Sequence, residues 1–95
     1  MGSDKSNRGI VTVLGKDQIG IIAWVSGKLA ENKVNILDIS QTILQDFFTM
    51  IMVVDLSTSV IEMGELAVIL RTEGQARGLQ VNIQHEDVFT YMHRV

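Results

Sequence analysis

A glycine-containing turn between an apolar strand and a helix is the feature of this sequence that most constrains its fold. The turn runs from Gly15 to Ile21 (GKDQIGI), after a β-branched run at residues 10–14 and at the start of a helical pattern over residues 20–31. A helix that begins behind such a turn has unpaired N–H groups, which favour a carboxylate or a phosphate. The junction therefore predicts a strand–helix unit with a small-anion or amino-acid site at the turn.

The remaining sequence predicts three more strands and a second helix. Their ranges are residues 35–45 and 47–57 for a hairpin that turns at Asp46, 61–77 for the helix before Gly78, and 79–85 for the last strand. The order is β-α-β-β-α-β, which predicts the α+β class and the ferredoxin-like plait. In this fold, a four-stranded antiparallel sheet carries two helices on one face.

Two apolar patterns predict which surfaces are buried. In the first helix, Ile21, Ile22, Val25 and Leu29 are expected to form one buried face. The strand at residues 47–57 is apolar on both faces for most of its length, which predicts a central strand whose second face is also covered.

Composition bounds the domain organisation and the partners. Residues 1–7 are expected to be a disordered arm or a cloning remnant, and residues 8–95 one domain with a short C-terminal helical tail. Hydrophobic residues make up 46% of 95, which favours self-association. The net charge of −3 argues against nucleic acid and anionic membrane, and no apolar run is long enough for a membrane span. With no cysteine and no signal peptide, we expect a cytoplasmic protein.

Three polar or small residues, two in the turn and one after the first helix, admit more than one interpretation. Asp17 is interpreted first as a helix N-cap or turn-former, and second as a carboxylate that binds the ammonium of an amino acid. Gly20 is explained most simply by close packing of the helix start against the sheet. The Asn35 amide either settles the chain after the helix or offers a donor and an acceptor to a zwitterion.

The sequence contains no convincing catalytic constellation. No serine–histidine–acid arrangement can be assembled, so we predict a non-enzymatic protein without a cofactor. The one cluster that could ligate a metal is His85, Glu86, Asp87 and His93. Structural pairing or a solvated end is the preferred interpretation of this cluster, and a metal-binding protein that uses His85 and His93 is an alternative.

The chain resembles the ACT domain family. The resemblance rests on Gly-x-Asp-x-x-Gly-Ile at 15–21, on Val34-Asn35-Ile36 before a long hairpin, and on the element order from Arg8 to His85. The tail from Gln84 to Arg94 is similar to that of small stand-alone ACT proteins, which are related to the regulator of the glycine-cleavage system.

The resemblance implies a site shared between two copies of the chain. ACT domains commonly pair side by side into an eight-stranded sheet, and an amino acid binds between the first turn of one copy and the second strand of the other. By position, this implicates Gly15, Asp17, Gly20 and Ile21 of one copy and Asn35 and Ile36 of the other. The chain departs from serine-sensing relatives at Gly15, where those relatives have histidine.

The resemblance therefore implies a regulatory module that binds a small amino acid in a homo-oligomer, either a dimer or a tetramer. Its output is expected to pass through a partner enzyme or regulator. The alternative is a pure protein-interaction module that docks a partner on the sheet face of Met50, Met52 and Val54, or on the tail.

Overall fold

The computed structural model describes residues 7–88 of the chain and contains the six expected elements in the expected order. They are β1 (Arg8–Lys16), α1 (Ile21–Glu31), β2 (Asn35–Leu44), β3 (Phe47–Asp55), α2 (Met63–Ala76) and β4 (Leu79–His85). The predicted hairpin and last strand are confirmed to within two residues, whereas β1 is longer than the apolar run at residues 10–14. Its polar ends, Arg8 and Lys16, extend the strand because they pair with Asp55 and Phe47 of β3.

The four strands form one antiparallel sheet in the order β2-β3-β1-β4. This order is that of the ferredoxin-like plait, so the predicted fold class is confirmed. β1 and β3 are the central strands, and β2 and β4 are the edges. Within residues 7–88, no helix has the length and apolar character that crossing a membrane would require.

The core lies between one face of the sheet and both helices. Alternate residues of the strands point into it, because side chains along a strand alternate between the two faces. The cluster includes Val11, Val13, Met50, Met52, Val54, Val81 and Ile83 from the sheet, with Val25, Leu29, Leu66 and Leu70 from the helices. Met50, Met52 and Val54 are fully buried in this core. They are therefore unavailable to a partner, and the expectation that they form a docking surface is wrong.

The second face of β3 is more accessible than its sequence predicts. β3 is a central strand as predicted, but Phe47 is 62% exposed and Ile51 is 39% exposed. These residues point away from the face that α1 and α2 cover, since they alternate with the buried Met50 and Met52. The expectation that both faces of β3 are covered is therefore wrong at these two positions.

The edge strand β2 is exposed along nearly its whole length. Only Ile36 is partly buried, and the apolar side chains of Leu37, Ile39 and Ile43 are accessible. The register with β3 shifts between Ile36 and Asp38, as in a β-bulge. The hairpin beyond it turns at residues 45–46 with Gln45 at φ 58°, which confirms the predicted position of the turn.

Candidate functional site

The turn between β1 and α1 reaches the helix through a left-handed glycine. Gly20 is the N-cap of α1, with φ 91° and no side-chain cap, and the first helical bond runs from the Trp24 N–H to the Gly20 oxygen. No atom lies within 4 Å of the position that a Gly20 Cβ would occupy. Two expectations are therefore wrong: Gly20 rather than Asp17 is the N-cap, and Gly20 is required for its backbone conformation rather than for packing.

Close packing occurs instead at Gly15. A Cβ on this residue would lie 2.7 Å from Leu79 Cδ2 and 3.1 Å from the Gly78 carbonyl oxygen. Both distances are shorter than ordinary van der Waals contacts. Gly15 therefore allows the end of β1 to lie tightly against the start of β4, which fixes where the turn leaves the sheet.

Two hydrogen bonds hold the turn in place. The Asp17 N–H donates to the Asp46 carbonyl oxygen at 2.8 Å, which ties the turn to the β2–β3 hairpin. The Gln18 side-chain amide donates to the Arg77 carbonyl oxygen at 3.0 Å, which ties it to the end of α2. The turn is thus braced from two sides, while the first-turn N–H groups of α1 have neither a helical partner nor a side-chain cap.

A cavity of about 310 Å³ opens beside this turn. Its lining residues are Asp17, Gln18, Gly20, Ile21, Ile22, Ala23, Gln41, Ile43 and Phe48. Three of the predicted site residues, Asp17, Gly20 and Ile21, therefore share one cavity. Ile22 belongs to its wall and is 40% exposed, so the expectation that Ile22 lies in the buried face of α1 is wrong. The side chain lies at the edge of that face, next to the open edge strand.

Sequence reasoning did not identify Gln41, Ile43 and Phe48 as part of the site. The signal that could have found them is the hairpin register: a turn at residues 45–46 pairs Ile43 with Phe48, and Phe48 also pairs with Gly15. This pairing brings the C-terminal end of β2 to the same end of the sheet as the glycine turn.

Of the other three predicted site residues, Gly15 does not line this cavity, and Asn35 and Ile36 lie at the opposite end of the sheet. Asn35 and Ile36 pair with Asp55 and Val54, whereas Gly15 pairs with Phe48. Phe48 and Asp55 are seven positions apart on β3, or roughly 23 Å at ~3.3 Å per residue. One chain therefore does not bring Asn35 to the turn.

A polar cluster joins the two helices behind the turn. The Trp24 indole N–H donates to Glu73 Oε1 at 2.9 Å, and Lys28 Nζ lies 3.1 Å from Glu73 Oε2. The Arg77 guanidinium stacks on the Trp24 ring at 4.6 Å. The hydrogen bonds from Trp24 and Lys28 lower the pKa of Glu73, and the hydrogen bond to Glu73 is the main cause that raises the pKa of Lys28. The cluster therefore keeps both partners charged at neutral pH.

The acidic and histidine residues at the end of β4 form pairs. Arg8 Nε lies 3.4 Å from Glu86 Oε1, and His85 Nδ1 lies 4.0 Å from Asp87 Oδ2. Among residues 7–88, no group of three or more histidine and acidic side chains is close enough to hold a metal ion. His93 lies outside the described residues, so the metal alternative that uses it stays a prediction.

The fold and the braced glycine turn define a βαββαβ module of the ferredoxin-like class. The family model for the ACT domain matches residues 8–84. The chain therefore belongs to the ACT domain family, as the resemblance in its sequence predicts.

Individual relatives agree with this assignment. A UPF0237 protein of Methanocaldococcus jannaschii is 49% identical over 89 residues, which cover 94% of this chain and 99% of the relative. The solved ACT domain protein from Streptococcus pneumoniae has 44% identity and a TM-score of 0.75, over 86% of this chain and 92% of that one. A structure assigned as a glycine cleavage system transcriptional repressor matches with a TM-score of 0.69 and 20% identity, over 81% of this chain and 44% of that one. At that identity, the last match shows the fold alone.

Proposed function

We propose that the chain is a non-enzymatic regulatory module that binds an amino acid between two copies of itself. The observation that carries the proposal is the cavity beside the glycine turn, together with the exposed edge strand that forms one of its walls. Membership of the ACT domain family supports it, because the sequence resemblance implies a ligand site of this kind.

The exposed strand β2 supports pairing between two copies. An edge strand leaves backbone donors and acceptors unpaired on its outer side, and exposed apolar residues on it favour contact with another strand. Ile39 is 42% exposed and Ile43 is 51% exposed on β2. Antiparallel pairing of β2 with β2 of a second copy would extend the sheet to eight strands and place Ile39, near the middle of β2, beside the second copy.

The same pairing explains how Asn35 could reach the site. The two ends of β2 are Asn35, far from the turn, and Leu44, next to it. In an antiparallel pair related by a twofold axis, the start of one strand lies beside the end of the other. Asn35 of a second copy would then lie near Ile43 and the turn that contains Asp17.

The ligand would act by shifting the equilibrium between two arrangements of the dimer. Its carboxylate suits the free N–H groups at the start of α1, and its ammonium suits the Asp17 carboxylate. We suppose two arrangements of the dimer, of which one places both walls of the site correctly. A ligand held by both copies binds that arrangement more tightly, and the difference in affinity shifts the equilibrium toward it. A partner protein that distinguishes these arrangements would carry the signal onward.

The first test is calorimetry of the purified protein with each of the twenty amino acids. At least one is expected to release or absorb heat with saturation, and Asp17→Ala and Asn35→Ala are each expected to weaken that binding about tenfold or more. Asn82→Ala, on the exposed edge strand β4, is the matched control and should bind as the original chain does. Absence of heat from all twenty amino acids would remove the sensor proposal.

A mixing experiment tests whether two copies share the site. At a ligand concentration equal to the dissociation constant of the original protein, a tenfold loss leaves about a tenth or less of the sites occupied in the Asp17→Ala chain alone or the Asn35→Ala chain alone. In a mixed dimer, one site has both side chains intact, and random exchange makes about half of the dimers mixed, so about a quarter of the sites should be restored. No restored binding after proven exchange would place both residues outside a shared site.

A further inference from the structure

The cavity beside the glycine turn has apolar walls that the core does not explain. Ile21 and Phe48 form its buried floor, each 3% exposed. Ile22 from α1 and Ile43 from β2 also line it, and both remain well exposed. Apolar side chains that line a cavity while remaining accessible gain free energy when another apolar group covers them.

The polar groups of the cavity are few, and most lie on the side of the turn. Asp17 is the one charged residue among the described residues that line it, and Gln18 already donates to Arg77. Gln41 offers a neutral amide at the edge strand. The lining thus provides polar groups for a zwitterion at one end and an apolar wall at the other, which is the usual division in small-molecule sites.

We infer that the ligand is an amino acid with an apolar side chain of intermediate size, such as leucine or methionine. This inference rests on the proposed function, since it names the ligand class of the same site. It differs from the small ligand that the sequence suggests. Glycine or serine held at the turn would leave the walls formed by Ile22 and Ile43 without an apolar contact.

The chemistry of the walls also argues against polar side chains. A hydroxyl or a charged group placed against isoleucine loses its hydrogen bonds to water without a replacement. Each additional methylene group packed against such walls strengthens binding, by about tenfold or more in a well-formed hydrophobic site. The order of affinity should therefore follow apolar contact, with leucine above alanine and alanine above serine.

The test compares leucine, alanine, serine and glycine by calorimetry with the full-length protein. Leucine is expected to bind at least about tenfold more tightly than alanine. If serine or glycine binds as tightly as leucine, the inference fails while the proposed function stands. If none of the twenty amino acids binds, the proposed function itself fails. If the side chain of a second copy fills the cavity, leucine will show no advantage over alanine, which also overturns the inference.

Two variants identify the wall directly. Ile22→Ser and Ile43→Ser are each expected to weaken leucine binding about tenfold or more and to change alanine binding by less than about twofold. The control is Val68→Ser on the exposed surface of α2, which should leave the preference for leucine intact. Because Ile43 lies on the edge strand, sedimentation of both variants must show the same assembly as the original protein. Equal losses for leucine and alanine would contradict an apolar wall.

Discussion

At the scale of single residues, the two glycines of the turn have opposite structural roles. Gly15 is required because a side chain there would meet Leu79 and the backbone of Gly78. Gly20 has free space around it but adopts φ 91°, where residues with a Cβ are strained. One glycine therefore fixes the end of β1 against β4, and the other directs the chain into α1.

The role of Gly20 predicts the effect of Gly20→Ala. The left-handed conformation should cost about 1 to 2 kcal/mol of unfolding free energy, because the added Cβ is too close to the following carbonyl oxygen. Urea denaturation measures this loss. Gly64→Ala is the control, since it also adds a methyl group into free space but lies inside α2. It should be neutral or stabilising by up to about 1 kcal/mol, and an equal loss in both variants would contradict the conformational explanation.

The importance of these glycines could be predicted from sequence, but their separate roles could not. Turn position follows from the change of hydrophobic period between residues 10–14 and residues 20–31. Whether a glycine serves packing or conformation depends on its φ angle and on neighbours such as Leu79, which is 64 positions after Gly15 in the chain. A local sequence pattern gives no information about a neighbour so far away in the chain.

At the scale of secondary-structure elements, the contact between α1 and α2 depends partly on charge. Glu73 accepts the indole N–H of Trp24 and lies beside Lys28, and its pKa is below the ordinary value of 4.5. Its contribution to stability is therefore fully present above the unfolded pKa near 4.5 and is lost as the pH falls through the lower folded pKa. The raised pKa of Lys28 has the opposite consequence, and its contribution is lost as the pH rises above 10.5.

The expected loss of stability at low pH predicts the behaviour of the Glu73→Gln variant. The variant keeps an acceptor for Trp24 but loses the charge, so its melting temperature should be lower than that of the original protein at pH 7. The difference should shrink as the pH falls below 4.5 and through the lowered pKa of Glu73, because its carboxylate then becomes protonated in the original protein. Glu31→Gln is the control, because Glu31 also contacts Lys28, at 3.4 Å, but has no indole partner. A difference that does not decrease as the pH is lowered below 4.5 until the protein unfolds would show that charge is not the cause.

The sequence predicted the boundaries of helices and strands more accurately than it predicted which side chains are buried. Helix α1 and strand β4 were predicted almost to the residue, because caps, periodicity and glycine stops act locally. The exposure of Ile22 and Ile51 was not predicted, since an apolar pattern does not say whether a surface is covered by the same chain or by another molecule.

At the scale of the whole molecule, the two edges of the sheet differ in character. Strand β2 exposes the apolar side chains of Leu37, Ile39 and Ile43, whereas β4 exposes the polar Gln80 and Asn82. The apolar edge is the one that also lines the cavity. Assembly through β2 would therefore connect the oligomeric state to the ligand site, and assembly through β4 would not.

This asymmetry predicts different effects of lysine at the two edges. Ile39→Lys should raise the dissociation constant of a dimer by about tenfold or more, because a charged side chain blocks strand-to-strand association. Gln80→Lys on β4 is the control and should leave the constant within about twofold. Sedimentation equilibrium measures both. Equal dissociation constants in the two variants would mean that β2 is not the contact between copies.

The shared part of the site was accessible from the sequence only through the family resemblance. Periodicity and spacing place Asn35 at the start of β2, but they contain no information about a second copy of the chain. The cavity wall at Gln41 and Ile43 depends on the strand register, which in turn depends on the residues of the hairpin turn.

The position of Trp24 gives the protein a natural optical reporter. It is the single tryptophan of the chain, one turn into α1 from Gly20, with its indole ring held between the Glu73 carboxylate and the Arg77 guanidinium. The Arg77 carbonyl accepts a hydrogen bond from the amide of Gln18, so Arg77 contacts both the cavity rim and the indole ring. Occupancy of the crevice should therefore change the intrinsic emission of the unlabelled protein, which makes a simple titration in a fluorimeter sufficient to screen metabolites.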